Sequence, residues 1–261
     1  MGPISIRNIT KSFSAPDEAE AVIALDDVSC EINAGEFFCI IGPSGCGKST
    51  LLHTIAGFSK PTLGAALRNG TPISGPGPDR TVIFQEYGLF PWMTVHQNVE
   101  FGLRAKGVGK AERKEIVDGF IDLVSLTRFA GRYPHEISGG MKQRVSIARA
   151  LAPDPDVVLM DEPFAALDSL TRDLLQEEIL RIWERTGKTF VLITHNIEEA
   201  VFLGDRVLVM TARPGRVKAV VDVDLPRPRD PSIRAHDLRF LEIKNELSHL
   251  LRAEVVRAAA A

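Results

Sequence analysis

The sequence of 261 residues contains few cysteines and no long apolar stretch. Its three cysteines, Cys30, Cys39 and Cys46, have no paired metal-ligand spacing, and an odd, small number is typical of a reducing compartment rather than of a disulfide framework. No basic-then-apolar signal opens the chain, and no apolar run approaches the roughly 20 residues that a membrane-spanning helix needs. We therefore expect a cytoplasmic protein whose role at a membrane, if it has one, is exerted through a partner.

The sequence also lacks an excess of positive charge. Its 31 lysines and arginines are outnumbered by 34 aspartates and glutamates, which gives a formal net charge of −3. This balance provides no global attraction for nucleic acid, although a local basic patch is compatible with it, and we expect no nucleic-acid partner. With 44% hydrophobic and 25% charged residues, the composition is that of an ordinary globular protein with a real core.

Apolar runs typical of strands recur along the chain, several of them continuous rather than alternating. They are FFCII (37–41), TVIFQ (81–85), VVLMD (157–161), TFVLIT (189–194) and RVLVM (206–210). Continuous runs predict a sheet that is buried on both faces. Helical patterns lie between them: KSTLLHTIAG ends at Gly57, and LTRDLLQEEILRIWERTG carries an apolar stripe of Leu170, Leu174, Leu175, Ile179, Ile182 and Trp183. The alternation predicts an α/β core.

Two segments depart from this alternation. Between about Gly88 and Pro153 the strand pattern disappears, and AERKEIVDGFIDLVSL (111–126) has an apolar helical face, which predicts a helical insertion. After Met210, RPGRV is typical of a hairpin turn, VKAVVDVDL of a short strand and PRPRDP of a linker. Residues 232–252 have a helical pattern with one apolar side, formed by Phe240, Ile243, Leu247 and Leu250. The predicted parts are a core of residues 1–87 and 154–215, a helical subdomain of residues 88–153, and a tail of residues 216–261 made of a strand, a linker and a helix.

The motif GPSGCGKST (42–50) follows a predicted strand and opens a predicted helix, which is the context in which a glycine-rich loop binds phosphates. Gly42, Gly45 and Gly47 permit a tight loop whose N–H groups point inward. Lys48 can then reach the β- and γ-phosphates, and the Ser49 hydroxyl can ligate Mg²⁺. The motif predicts that the chain binds a nucleoside triphosphate through Gly42, Pro43, Ser44, Gly45, Cys46, Gly47, Lys48, Ser49 and Thr50.

Two adjacent acids end the apolar run VVLMDEP (157–163). The Asp161 carboxylate can hold Mg²⁺ through water, and Glu162 is well placed to polarise an attacking water. A solvated edge turn begun by Pro163 is the alternative explanation for the two charges. The favoured interpretation is hydrolysis of the triphosphate.

The stretch EISGGMKQR (136–144) sets paired glycines after a serine at a predicted helix start. The first N–H groups of a helix are unpaired and its dipole favours negative charge, so this position is a candidate anion site. A capped helix without a ligand explains the same residues.

Together these residues resemble the ATP-binding subunits of ABC transporters. The Walker A motif (GPSGCGKST), glutamine loop (VIFQEYGLFPW), signature (ISGGMKQR), Walker B motif (VVLMDEP), D-loop (AALD) and switch histidine (ITHN) occur in family order. The resemblance covers nearly the whole chain. It implies a P-loop NTPase (RecA-like) core with an antiparallel β subdomain and an inserted α-helical subdomain.

The resemblance also implies a head-to-tail dimer. Ser138, Gly139, Gly140 and Met141 of one copy would close over the γ-phosphate held by Lys48 of the other, so that a monomer would hydrolyse ATP poorly. Met141 stands where glutamine is usual, a change that should not affect backbone contacts with an anion.

Further family roles can be carried onto matching residues. Gln85 would contact Mg²⁺ and the attacking water, His195 would hold the γ-phosphate, and Asp168 would reach across the dimer. Taken alone, His195 is more readily explained as a structural residue at a helix start. Asp168, taken alone, could simply cap the next helix. Phe13 stands at the place of the family's adenine-stacking aromatic, where a core position is an equal alternative.

The stretches LFPWMTVHQNVEFGL, MDEPFAALDSLTR and THNIEEAVFLGDRVLVMTARPGRV resemble the nitrate, sulfonate and taurine branch of bacterial importers. This resemblance implies a peripheral subunit on the cytoplasmic face of the membrane, bound to permease subunits that a periplasmic or lipid-anchored binding protein supplies. Residues 88–93 would form the wall of the permease groove, or else a hydrophobic corner under the helical insertion. Nitrate, taurine, alkanesulfonates, cyanate, bicarbonate and thiamine precursors all remain open as cargo.

Two other functions are compatible with an ABC-type sequence. One is a soluble ATPase acting on nucleic acid or ribosomes, but only 90 positions separate Lys48 from Ser138, without sustained heptads, and the chain has one phosphate loop. The other is a nucleotide-binding regulatory module without turnover, for which Lys48, Asp161, Glu162 or His195 should be lost. All four are present.

Overall fold

The computed structural model describes residues 2–13, 21–165 and 167–259. Their strands and helices follow one another as β1 (Ile4–Phe13), β2 (Val22–Ile32), β3 (Phe37–Ile41), α1 (Lys48–Ala56), β4 (Leu63–Arg68), β5 (Thr71–Pro72), β6 (Arg80–Ile83), α2 (Val95–Ala105), α3 (Lys110–Leu123), α4 (Gly139–Leu151), β7 (Val157–Asp161), α5 (Ser169–Thr186), β8 (Thr189–Ile193), α6 (Ile197–Leu203), β9 (Arg206–Met210), β10 (Val217–Asp222), α7 (Ile233–His236) and α8 (Leu238–Ala259). The five strands predicted from apolar runs are β3, β6, β7, β8 and β9.

The chain divides into two compact units, Met1–Gly77 with Trp183–Ala261, and Pro78–Ile182. In the first unit an antiparallel sheet has the strand order β2-β1-β4-β5. A second group has the order β10-β9-β3-β8, in which β3 pairs in parallel with β8 and β9, and β10 pairs with β9 antiparallel. All residues of β3 and β8 are buried, which confirms the prediction from their continuous apolar runs.

The second unit contains the parallel pair β6 and β7 and the helices α2, α3 and α4. The helices enclose one apolar cluster that includes Val99, Val117, Ile121, Val145 and Ala148. The predicted helical segment between β6 and β7 is therefore present. The three-part division into residues 1–87 with 154–215, 88–153 and 216–261 stays a prediction.

The apolar stripe predicted for α5 is partly wrong. Leu175, Ile179 and Ile182 are buried, but Leu170 and Leu174 are 69% and 49% exposed. The two leucines lie four residues apart in the first turns, on a different side of the helix from Leu175, so the buried stripe begins one turn later than predicted.

The C-terminal helical pattern is divided into α7 and α8. Asp237 ends the first helix and accepts a hydrogen bond from the Phe240 N–H at 3.0 Å, which starts the second. Three of the four residues predicted to share one apolar side, Phe240, Ile243 and Leu247, are buried, and the fourth, Leu250, is partly buried. Every helix in the described part of the chain is too short or too polar to span a bilayer.

Candidate active site

The phosphate-loop motif lies between the buried strand β3 and helix α1, in the context that its sequence predicts. Gly45 and Gly47 have φ angles of 73° and 99°, a region that glycine populates without steric cost. A Cβ atom at Gly47 would also lie 2.7 Å from Leu25 Cδ2 and 2.8 Å from the Ala24 carbonyl oxygen. Gly47 therefore allows the loop to pack directly on β2.

Lys48 is the first residue of α1 and is 7% exposed. Its Nζ donates hydrogen bonds to the carbonyl oxygens of Gly42 at 2.9 Å and Pro43 at 3.0 Å, which offset the cost of burying the charge. The first turn of α1 contains no acidic side chain, and the Ser49 hydroxyl there belongs to an exposed residue. A fixed ammonium beside the positive end of a helix is an arrangement that favours phosphate.

The turn after β8 presents His195 to solvent at the edge of the same unit. Asn196 caps α6 by accepting hydrogen bonds from the N–H groups of Glu198 at 2.9 Å and Glu199 at 3.4 Å. The Thr194 hydroxyl donates to the Glu199 carboxylate at 2.5 Å. Strands β3 and β8 are parallel neighbours, so their carboxyl ends lie at the same edge of the sheet. The phosphate loop follows β3 at this edge, and His195 follows β8.

This turn also shows which residue caps α6. Asn196 provides the helix cap, and its neighbour His195 is exposed. His195 is therefore not the cap of α6, and its contact with the γ-phosphate stays a prediction. The sequence analysis does not predict the hydrogen bonds of Thr194 and Asn196, although an asparagine just before a helix, here three residues after the end of β8, is a common cap signal.

Phe13 ends β1 and is 49% exposed. Its ring lies 5.1 Å from the Lys11 Nζ, a cation–π contact. The alternative of a core position is therefore wrong. Adenine stacking on this ring stays a prediction.

In the second unit, β7 brings Asp161 and Glu162 to the end of a buried strand. Residues 157–160 are buried, whereas Asp161 and Glu162 are partly buried, which a fully solvated edge turn would not produce. Glu162 has a φ angle of 47°, a left-handed conformation that is uncommon for a residue with a side chain and that concentrates at functional sites. The strain marks Glu162 as a residue whose placement the fold enforces.

Gln85 lies at the same edge of this unit. Strands β6 and β7 are parallel, with Ile83 opposite Met160, so their carboxyl ends lie side by side. Gln85 is exposed two residues beyond the end of β6. The structure therefore brings the amide of Gln85 and the carboxylate of Asp161 to one edge.

The signature serine caps α4, as the sequence predicts. The Ser138 hydroxyl accepts a hydrogen bond from the Met141 N–H at 3.3 Å, and the first turn contains no acidic residue. A Cβ atom at Gly139 would lie 2.9 Å from the Tyr87 hydroxyl, and one at Gly140 would lie 2.7 Å from Thr171 Cγ2. Both glycines are thus explained by close packing, and Ser138 itself is exposed.

The packing around α4 contains residues that the motif search did not single out. Arg149 donates hydrogen bonds to the carbonyl oxygens of Gly88 at 2.7 Å and Tyr87 at 3.2 Å, and burial lowers its pKa. Its guanidinium also lies 5.5 Å from the centre of the Phe90 ring. The signature helix is therefore fixed to the middle of the glutamine loop.

Asp168 is exposed and caps α5. Its carboxylate accepts a hydrogen bond from the Thr171 N–H at 3.0 Å, which lowers the pKa of Asp168. The capping role considered from the sequence is confirmed. Ala166, within the D-loop motif, lies outside the described residues.

The residues predicted to hold Mg²⁺ fit this ion by the chemistry of their donors. Ser49 offers a hydroxyl, Asp161 a carboxylate and Gln85 an amide oxygen, and none of the three is fully buried. Mg²⁺ prefers oxygen ligands, retains several waters and is commonly held by one or two protein groups together with substrate phosphates.

Comparison with known proteins gives a family. The family model described as ABC transporter matches residues 25–165. An uncharacterised ABC transporter ATP-binding protein of Methanocaldococcus jannaschii is 50% identical over 255 residues, covering 98% of this chain and 93% of the relative. The taurine import ATP-binding protein TauB of Roseobacter denitrificans is 49% identical, covering 83% and 81%. The nitrate import ATP-binding protein NrtD of a Synechocystis species is 46% identical, covering 89% of each.

A solved structure agrees with these relatives. It is the dimeric, post-hydrolysis state of an ATP-binding cassette bound to ADP and Pi, at 33% identity and a TM-score of 0.76, covering 85% of this chain and all of the other. The predicted P-loop NTPase fold is thereby confirmed. The chain belongs to the ABC transporter family, in which it is an ATP-binding, ATP-hydrolysing subunit.

Proposed function

We propose that this subunit energises an importer for a small anion, such as nitrate, taurine, an alkanesulfonate or bicarbonate. The observation that carries the ATP-driven part of the proposal is the Lys48 ammonium, held in a glycine loop at the start of α1. The chain that contains it is 49% and 46% identical to ATP-binding proteins named for taurine and nitrate import. The cargo itself need not touch this subunit, so the choice among anions rests on those relatives for taurine and nitrate and on the sequence resemblance for alkanesulfonates and bicarbonate.

The residues divide the chemistry of ATP hydrolysis among them. Lys48 and the loop N–H groups bind the β- and γ-phosphates, and His195 binds the γ-phosphate from the turn after β8. Glu162 orients the attacking water and accepts its proton, a role for which its enforced backbone conformation supplies a fixed position. Phe13 offers an exposed ring to the adenine base.

Magnesium belongs to the same reaction. Ser49, Asp161 and Gln85 would hold it, and its charge would offset that of the phosphates. The protein's own contribution is to provide these oxygen donors from a helix start and from two strand ends.

We further propose that two copies act head to tail. Ser138 begins a helix of 13 residues, is exposed, and has no acid beside it in the first turn, so its N-terminus can receive the γ-phosphate bound by the partner's loop. Asp168 would reach across the dimer from its own helix cap. The dimeric state of the solved relative with ADP and Pi supports this arrangement.

The permease would bind an aromatic patch formed by Phe90, Trp92 and Phe101. The Phe90 ring lies 4.6 Å from that of Phe101 and 5.7 Å from that of Trp92, and Trp92 is 69% exposed. Leu89, by contrast, packs on the helical core, which is the alternative role predicted for residues 88–93, so the segment would serve both roles. Such an exposed apolar patch is typical of an interaction surface. The subunit would thus lie on the cytoplasmic face of the membrane, with a periplasmic or lipid-anchored binding protein delivering cargo to the permease.

The test is uptake of labelled nitrate, taurine, an alkanesulfonate, bicarbonate and a thiamine precursor in source cells. Cells carrying the native subunit are compared with cells carrying Glu162→Gln. The matched control is Glu115→Gln, which neutralises an exposed acid on α3. We expect uptake of one anion to fail in Glu162→Gln and to continue in the control. If uptake of all five compounds continued in Glu162→Gln, the importer proposal would be contradicted and a soluble ABC-type ATPase would be favoured.

A further inference from the structure

A second pocket opens beside the phosphate loop within the first unit. It has a volume of about 560 Å³ and is lined by Ser44, Gly45, Thr211, Ala212, Arg213, Pro214, Arg216, Glu254 and Arg257. Three of its nine lining residues are arginines. The volume is within the range of pockets that bind small molecules.

One wall of the pocket is the turn between β9 and β10, and hydrogen bonds fix its shape. The Thr211 N–H donates to the Arg216 carbonyl oxygen at 3.0 Å, and the Arg216 N–H donates to the Thr211 hydroxyl at 2.9 Å. Gly215 is joined to β2 because its N–H donates to the Ala24 carbonyl oxygen at 2.9 Å and its carbonyl oxygen accepts from the Asp26 N–H at 3.0 Å. The wall therefore needs little reorganisation to receive a ligand.

The negative charge of the acidic side chain in the pocket is already paired with a lysine. Glu254 on α8 is 4% exposed and accepts hydrogen bonds from the Ala212 N–H at 3.0 Å and from Lys218 Nζ at 2.6 Å. Its bonds tie α8 to the turn and leave its charge paired.

The arginines differ in what they bind. Arg216 pairs with Asp26, with its Nε 2.9 Å from the carboxylate. Arg213 and Arg257 have exposed side chains, and these side chains form no hydrogen bond or ion pair with any residue in the described ranges 2–13, 21–165 and 167–259. Arg257 lines the pocket from α8, the helix that also carries Glu254. Two guanidinium groups of the lining, those of Arg213 and Arg257, thus have no acidic ion-pair partner among the described residues.

We propose that this pocket binds a small molecule through a tetrahedral oxyanion group, such as a phosphate, sulfate or sulfonate, at a place distinct from the nucleotide. Guanidinium groups donate paired N–H bonds in a planar fork that matches such oxyanions. Because Ser44 and Gly45 also belong to the phosphate loop, occupancy of the pocket and of the nucleotide site should be coupled.

The test uses inorganic sulfate as the probe and the full chain with its phosphate loop saturated by Mg²⁺ and a non-hydrolysable ATP analogue. Saturation with this analogue removes the loop as a second sulfate site. Equilibrium dialysis with labelled sulfate, at constant ionic strength in chloride, compares the native chain with the double variant Arg213→Gln/Arg257→Gln. The matched control is Arg252→Gln, which removes an exposed arginine of α8 that does not line the pocket.

We expect saturable binding of one sulfate per native chain and per control chain. In the double variant the affinity should fall about tenfold or more, the loss expected for charge-assisted hydrogen bonds. The proposal would be overturned if the native chain showed no saturable sulfate binding, or if the double variant bound sulfate equally well. Either result would show that the two arginines are hydrated and form no binding site. The affinity for the ATP analogue is measured in all three proteins. If it is unchanged, a failure to bind sulfate counts against the pocket alone and leaves the proposed ATPase function intact.

Discussion

Replacing Gly215 with alanine should displace the phosphate loop, because the added methyl group would collide with the loop backbone. Gly215 is buried, and a Cβ atom there would lie 2.0 Å from the carbonyl oxygen of Cys46, a loop residue, and 2.8 Å from Met210 Cε. Carbon and oxygen in favourable contact are about 3.3 Å apart, so the loop or the turn must move by about 1.3 Å. The turn is joined to β2 on both sides of Gly215, so the strain should be shared with the loop.

Overpacking of this kind costs about 1–3 kcal/mol in the free energy of unfolding. In a chain of this size each kcal/mol lowers Tm by about 2–4 °C. A displaced loop should also weaken nucleotide binding, by about tenfold if 1.4 kcal/mol of the strain is felt in the bound state. Thermal unfolding and titration with a fluorescent ATP analogue measure the two effects.

The matched control is Gly119→Ala on α3, where a Cβ atom would meet nothing within 4 Å. Alanine in a helix interior is favoured over glycine by roughly 0.5–1 kcal/mol, so this variant should be as stable as the native chain or more stable. A Gly215→Ala protein with native Tm and native nucleotide affinity would refute the argument that the turn supports the loop.

Three further changes test other parts of the structure. Lys48→Ala removes the ammonium held by the Gly42 and Pro43 carbonyls and should abolish ATP turnover, so undiminished hydrolysis in a phosphate-release assay would overturn the site assignment. Asn196→Ala removes the α6 cap and should lower the free energy of unfolding by about 1 kcal/mol and reduce ATP turnover. Denaturant titration and an ATPase assay measure these two effects, and native values in both would contradict the role given to this turn. Hydrogen bonding from Lys218 and the Ala212 N–H lowers the pKa of Glu254, so its stabilising effect should be complete above the unfolded pKa of about 4.3 and lost as pH falls through the lower folded value. The stability difference between the native chain and Glu254→Gln, measured from pH 7 to pH 3, should therefore shrink only at the acid end, and a difference independent of pH would contradict this.

Much of the fold follows from the periodicity and continuity of apolar residues. The continuous run FFCII predicts a doubly buried strand, and β3 is buried at every residue. Gly57 predicts the end of α1, and it adopts the left-handed conformation of a helix cap with a φ angle of 82°. These features are local, so a short window of sequence contains the information that determines them.

Features that depend on distant residues were not predictable in this way. The exposure of Leu170 and Leu174 depends on which side of α5 faces the core, which helical periodicity alone does not decide for a run with apolar residues on two sides. The bonds from Arg149 to Gly88 and Tyr87 join residues about 60 positions apart, and an arginine near a helix end has no sequence signal for them. The positive φ of Glu162 likewise depends on the surrounding structure and not on the preference of glutamate.

The central claim is that ATP joins two copies of this chain and that hydrolysis releases them. The most direct test is light scattering on Glu162→Gln, which should bind ATP without hydrolysing it, in the presence and absence of Mg·ATP. We predict twice the mass of one chain with ATP and a single-chain mass without it, and a single-chain mass under both conditions for Glu162→Gln/Lys48→Ala. A single-chain mass for Glu162→Gln at saturating ATP would contradict the claim that the Ser138 helix of one copy closes over the nucleotide of the other.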